Sequence, residues 1–146
     1  MMKNIVAIRR AKKSDAKDVR LLLDQLGYPD FSVHDVKEKI NIHKQPGYHM
    51  MVAETKSQTI GFIALHWFEL AHWKGKMGRI TSFCMDKKFR SRGLGLQLLK
   101  AAEKLLLNKK CIKIEVTSNA KRLRAHGFYL KSGYVEDSKR FVKYRT

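Results

Sequence analysis

Residues 77–116 change their hydrophobic period twice, and that switch limits the possible folds more than any other feature of the chain. Residues 77–85 form a β-rich run, and a basic turn, Asp86-Lys87-Lys88-Phe89-Arg90-Ser91-Arg92, follows it. From Gly93 onward, Leu94, Leu98, Leu99, Ala102, Leu105 and Leu106 recur at helical spacing up to Asn108. A compact apolar strand, 111–116, comes next. Strand, helix and strand in that order predict a βαβ crossover, whose strands lie parallel in one sheet.

The flanking segments fix the rest of the architecture. A short β-branched run at 5–8 predicts a strand. Ser14-Asp15 then predicts the cap of a helix through Val19, Leu22, Leu23 and Leu26 that Gly27 stops. Ser32 predicts the start of a second helix with Val33, Val36 and Ile40 on one face, ending before Pro46-Gly47. Two β-rich runs, 48–54 and 59–68, are joined by the polar Thr55-Lys56-Ser57-Gln58, which predicts an antiparallel hairpin. After the crossover come a helix at about 120–131, closed by Gly133, and short strands at 134–136 and 140–144. The order βααβββαβαββ predicts an α+β (mixed α/β) fold: a central, mostly antiparallel mixed sheet flanked by helices. A length of 146 residues fits one domain, 1–146, around a single core.

Composition narrows the function classes. Lys and Arg number 31 against 13 Asp and Glu, and the formal charge of +18 draws polyanions, phosphates and acidic surfaces. A hydrophobic fraction of 44% excludes disorder despite that charge. The basic residues are spread along the whole chain, and no basic stretch is interleaved with exposed aromatics. A nucleic-acid-binding module is therefore the weaker alternative, and no specific nucleic acid partner is expected. Cys84 and Cys111 make no disulfide framework, which suits a reducing cytoplasm. No apolar run reaches membrane-spanning length and the N-terminal apolar stretch is too short for a signal peptide, so no membrane partner is expected.

The turn into the long helix carries the chemistry. In Arg90-Ser91-Arg92-Gly93-Leu94-Gly95, free backbone NH groups and the positive helix end can hold an anion such as a pyrophosphate. Gly93 and Gly95 remove side chains that would block phosphate oxygens, and Arg90 and Arg92 add complementary charge. A Walker loop is excluded, because Gly95 is followed by Leu96-Gln97, and a dinucleotide fingerprint lacks the glycine where Leu98 stands. Taken alone, the hexapeptide serves a tight turn into a helix equally well.

The stretch from Phe83-Cys84-Met85 through Arg90-Ser91-Arg92-Gly93-Leu94-Gly95 to Leu98-Leu99 resembles the acetyl-coenzyme A motif of the GNAT N-acetyltransferase superfamily, the loop after its fourth strand. A second block is also similar to the family: Ser118-Asn119-Ala120-Lys121-Arg122, then Ala125-His126-Gly127-Phe128-Tyr129-Leu130-Lys131-Ser132-Gly133-Tyr134, which looks like its late helix. The resemblance covers almost the whole chain. The stretch 61–80, with His66 and His72, and the tail Arg140-Phe141-Val142-Lys143 look most like the small-amine acetylating members, including the aminoalkylphosphonate acetyltransferases.

The resemblance implies transfer of acetyl from acetyl-CoA directly to a primary amine, with a small molecule preferred over a protein or peptide as acceptor. It implies that the main chain near Phe83, Cys84 and Met85 holds the pantetheine arm. Arg90, Ser91, Arg92, Gly93, Leu94 and Gly95 hold the pyrophosphate, and Asn119 contacts the arm. Tyr129 matches the tyrosine that gives a proton to the departing sulfur, whereas packing of the helix onto the sheet is its structural alternative. An alkylammonium of pKa ~10.4 must also lose a proton before it attacks. The carboxylate that many members carry near the start of the fourth strand is missing from Ile80-Thr81-Ser82, which leaves Glu69, His66 and His72 as candidates for the base. Cys84 has no adjacent histidine and reads as an inert buried thiol rather than a nucleophile. No His/Cys/Asp grouping has metal-ligand spacing. The oligomeric state, a homodimer included, is left open.

Overall fold

The computed structural model describes residues 6–118 and 121–145. The strands are β1 (Ala7–Arg10), β2 (Tyr48–Thr55), β3 (Gln58–Glu69), β4 (Lys76–Met85) and β5 (Cys111–Val116). They form one five-stranded sheet in the order β1-β2-β3-β4-β5. Neighbours pair antiparallel except β4 and β5, which are parallel, as the crossover requires. The helices are α1 (Ala16–Leu26), α2 (Val33–Ile42), α3 (Leu94–Asn108) and α4 (Leu123–Lys131).

Each face of the sheet has its own core. The apolar stripe of α3, formed by Leu94, Leu98, Leu99, Ala102 and Leu106, buries against Ile63, Leu65 and Ile80. On the opposite face Val19 and Leu22 of α1 and Val36 and Ile40 of α2 meet Val52, Phe62, Ala64 and Cys84. Burying a side chain such as Leu98 contributes about 1.5–3 kcal/mol, so the two faces dominate the stability.

Most local signals in the sequence have a counterpart in the fold. Ser32 accepts from the Asp35 backbone NH while Asp35 accepts from the Ser32 NH, a reciprocal cap. The β2–β3 hairpin closes more tightly than predicted, on Lys56 and Ser57 alone, both in the left-handed region (φ 48° and 63°) that a two-residue turn of this hand requires. The start of α1 differs from its prediction. A 3-10 turn at Lys13–Asp15 precedes it, and the Asp15 carboxylate turns back to the Lys12 backbone NH, the Arg9 guanidinium and the Thr59 hydroxyl. These tertiary bonds replace the helix cap.

The two predicted C-terminal strands do not form: residues 134–145 add nothing to the sheet. Their apolar side chains, among them Val135, Phe141 and Tyr144, lie largely exposed. The alternating pattern that suggests a strand therefore has no buried face to serve. Of the predicted first strand, Ile5 lies outside the described residues, and β1 runs on instead to Arg10.

Two irregularities position the site. On β4, Ala64 pairs with Ser82 but Leu65 pairs with Ile80, so Thr81 is an extra, bulged residue, and its hydroxyl donates to the Ala64 carbonyl at 3.2 Å. The last β4–β5 pair is Ile80 with Val116, so residues 81–85 of β4 present main-chain groups that β5 does not pair.

Candidate active site

The basic turn is built from both of its ends. Asp86 accepts from the Lys88 backbone NH at 3.0 Å, and Gln25 of α1 reaches across to accept from the Lys87 NH at 2.9 Å. Arg90 Nε donates to the Met85 carbonyl at 3.1 Å, tying the loop back to β4. The Arg92 guanidinium lies over the Phe89 ring, 5.4 Å from its centroid. Ser91 and Gly93 both take positive φ, 64° and 78°, just before α3 begins.

The glycines divide their work. Gly93 is required by its left-handed backbone and would meet nothing with a Cβ. Gly95 is closely packed: a Cβ there would sit 3.3 Å from Met85 Cγ, where α3 presses on β4. The side chains of Leu94 and Met85 are buried in the core, so only their main chains are available to a ligand.

Helix α4 closes the other wall. Phe128 meets Phe83 edge to face at 5.7 Å, and Arg124 donates to the Ser91 hydroxyl at 2.9 Å. Between α4, the free β4 edge and the loop lies a cleft of about 900 Å³, lined by Phe83, Cys84, Met85, Arg90, Ser91, Gly93 and Gly95 among others. Unpaired strand groups, a run of NH groups at a helix start and flanking arginines fit a long, jointed ligand with an anionic centre. Arg122 and Arg124 entered the site unannounced, although the run Lys121-Arg122-Leu123-Arg124 at the head of α4 marks them in the sequence. Asn119 lies outside the described residues.

A second cavity, about 220 Å³, lies against the first. Thr81, Ser82, Val116, Thr117 and Ser118 from the parting ends of β4 and β5 line it, with Tyr28, Arg122 and Arg140. Phe83, Arg122 and Tyr129 line both cavities. Tyr129 sits between the Phe128 and Tyr134 rings, at 5.6 and 5.8 Å. Burial pushes its phenol above the ordinary tyrosine value, and nearby Arg122 only partly opposes this. The hydroxyl therefore keeps its proton at neutral pH.

The candidate bases are not brought here. His66 donates through Nδ1 to the Gly47 carbonyl at 2.8 Å and stacks on Tyr48 at 4.2 Å, as a packed polar residue does. His72 sits edge-on to Trp73, Glu69 is exposed at the end of β3, and none of the three lines either cavity. His49, driven down to about 4 mainly by burial, is neutral but lies on β2. The Cys84 thiol is buried on the α1 face, beside the Leu22 carbonyl at 3.4 Å, and burial raises its pKa. That environment suits an inert thiol. Among the described residues no His, Cys, Asp or Glu grouping could hold a metal ion.

The GNAT acetyltransferase domain family matches residues 15–144, nearly the whole chain. The chain belongs to the GNAT acetyltransferase family. It is accordingly an acetyl-CoA-dependent N-acetyltransferase. An aminoalkylphosphonate N-acetyltransferase of Salmonella typhimurium is 28% identical over 144 residues, which cover 95% of this chain and 91% of that protein. The fold matches glucosamine-6-phosphate N-acetyltransferase from Arabidopsis thaliana, with a TM-score of 0.82 and 19% identity over 97% of this chain and 99% of the other. It also matches an aminoglycoside N-acetyltransferase in complex with CoA, with a TM-score of 0.82 and 18% identity over 97% and 95% of the two chains. No helix among the described residues of this GNAT chain is long and apolar enough to cross a membrane.

Proposed function

We propose that this single-domain enzyme acetylates the primary amine of a small molecule, and that Tyr129 acts where its two cavities meet. The observation that carries this reading is the position of Tyr129, a protonated phenol shared by the large cleft and the small pocket. Bound acetyl-CoA supplies the activated acetyl group. The free edge of β4 at Phe83, Cys84 and Met85 holds the pantetheine arm. The NH groups of Arg90, Ser91, Arg92, Gly93, Leu94 and Gly95 hold the pyrophosphate, and Asn119 takes the arm contact that the family resemblance gives it.

Tyr129 holds a proton where a departing thiolate needs one, and a positioned acid of this kind contributes about a hundredfold or more. With no carboxylate or imidazole among the residues of the small pocket, the amine gives up its proton through water along Thr81, Ser82, Thr117 and Ser118. Transfer is direct, because Cys84 faces away into the core.

The size of the small pocket favours a small acceptor. About 220 Å³ is enough for a short aminoalkyl compound. The aminoalkylphosphonate N-acetyltransferase relative points the same way. Both cysteines are free thiols, which agrees with a cytoplasmic location. Following thiol release from acetyl-CoA with short primary amines and with peptides tests the reading: turnover of the amines is expected, and turnover of peptides alone overturns it.

A further inference from the structure

The C-terminal tail is the part of the molecule that the sheet does not use. In Lys139-Arg140-Phe141-Val142-Lys143-Tyr144-Arg145 four cations surround two rings, and no acidic residue interrupts them. Phe141 and Tyr144 are 90% and 82% exposed, and Val142 between them is also largely bare. Single exposed apolar residues are ordinary, whereas a cluster of them marks an interaction surface. This is a basic stretch interleaved with exposed aromatics. The sequence pattern hides it, because residues 140–144 read as a strand and a strand in a sheet buries alternate side chains.

The tail is fixed ahead of that stretch and joins a second group of cations and rings. The Tyr134 hydroxyl donates to Glu103 of α3 at 2.8 Å, and Lys113 of β5 pairs with Asp137 at 3.2 Å. The same Lys113 ammonium lies 4.9 Å from the centre of the Trp73 ring. Trp73 is only partly buried, meets His72 edge-on at 5.8 Å, and is followed in the chain by exposed Lys74.

We infer that residues 139–145, with Trp73 and Lys113 beside them, form a sequence-independent docking surface for single-stranded nucleic acid. Phosphates meet Lys139, Lys143 and Arg145, and unpaired bases stack on Phe141 and Tyr144. Arg140 lines the small pocket and is left to it. Stacking needs an exposed ring and accepts any base, while cations follow the backbone. The net charge of +18 supplies attraction for a polyanion at longer range. A duplex fits less well, because its bases are already stacked and the tail offers no helix or strand to enter a groove. An anionic membrane also fits less well: within 139–145 only Phe141 and Val142 stand together without a cation between them, too little apolar surface to enter a bilayer interface.

Fluorescence anisotropy of a labelled oligouridylate of about 12 nucleotides tests this with the full chain, beside a duplex of the same length and phosphatidylglycerol vesicles. One variant, Phe141→Ser with Tyr144→Ser, keeps every charge, and another, Lys139→Gln with Lys143→Gln, keeps both rings. The oligouridylate is expected to bind more tightly than the duplex despite its lower charge. The ring variant should raise its Kd by roughly 10–100-fold with an unchanged dependence on salt. The lysine variant should flatten the slope of log Kd against log salt by about 1.4, two phosphate contacts at ~0.7 each. A ring variant that binds like the wild type overturns the inference and reduces the binding to bulk charge. Equal affinity for duplex and single strand overturns it as well. Binding to vesicles without binding to oligouridylate assigns the tail to a membrane instead, and absence of all binding leaves it no polyanion partner.

Discussion

Asp15 shows how one residue joins elements distant in sequence. Burial alone would raise its pKa, but bonds from Arg9, the Lys12 backbone and Thr59 outweigh it and hold the carboxyl below the ordinary carboxylate value. A depressed folded-state pKa contributes stability that is complete above the unfolded value of ~3.9 and is lost as pH falls through the folded one. Asp15→Asn should cost about 2 kcal/mol at pH 7, because it removes the charge facing Arg9 and one of the two oxygens that Arg9, the Lys12 NH and Thr59 share, although Arg9 keeps Glu54. Thermal melts at pH 7 and near pH 3 check this, and the gap between wild type and variant should narrow at the lower pH. Tyr129 has the opposite sign: a raised pKa keeps it an acid across the neutral and alkaline range. The pH profile of kcat/KM should then rise from about pH 6 to 9 as the amine deprotonates, with no decline from the tyrosine in that window.

Among the elements, the loop from β4 to α3 was the most legible in the sequence, because its chemistry is local. Glycines, flanking arginines and a change of period all lie within one short stretch. Gly93 and Gly95 serve different ends: a left-handed backbone at Gly93 and close packing against Met85 at Gly95. Gly93→Ala is therefore expected to destabilise the fold by about 1–2 kcal/mol through its left-handed φ and to weaken acetyl-CoA binding, measured by denaturant melts and calorimetry. The bulge at Thr81 was not legible, since it depends on the register of β3 against β4. Nor was the fate of the tail. Its alternating residues 140–144 fit a strand, yet a strand also needs a partner edge, and tertiary bonds from Glu103 and Lys113 direct the segment elsewhere. Arg122 was not legible as a pocket residue, because pocket walls come from distant segments.

At the scale of the whole molecule, the +18 charge ceases to be anonymous where it meets the site. Arg90, Arg122 and Arg140 line the two cavities. The remainder of the charge steers anions at longer range, an effect that salt screens. Raising ionic strength from about 0.01 to 1 M shortens the screening length from roughly 30 to 3 Å, so the KM for acetyl-CoA should rise steeply over that range. Stopped-flow association rates should fall in parallel. The layered sheet gives these charges a fixed geometry. Parallel β4 and β5 separate after Ile80 and Val116, α3 and α4 wall the opening, and the large cleft and the small pocket meet at one phenol.

That meeting point is tested most directly by steady-state kinetics of Tyr129→Phe, which removes the hydroxyl and keeps the ring between Phe128 and Tyr134. The structure predicts a fall in kcat of about a hundredfold with the KM for acetyl-CoA almost unchanged. An unchanged kcat would contradict Tyr129 as the proton donor and leave it a packing residue.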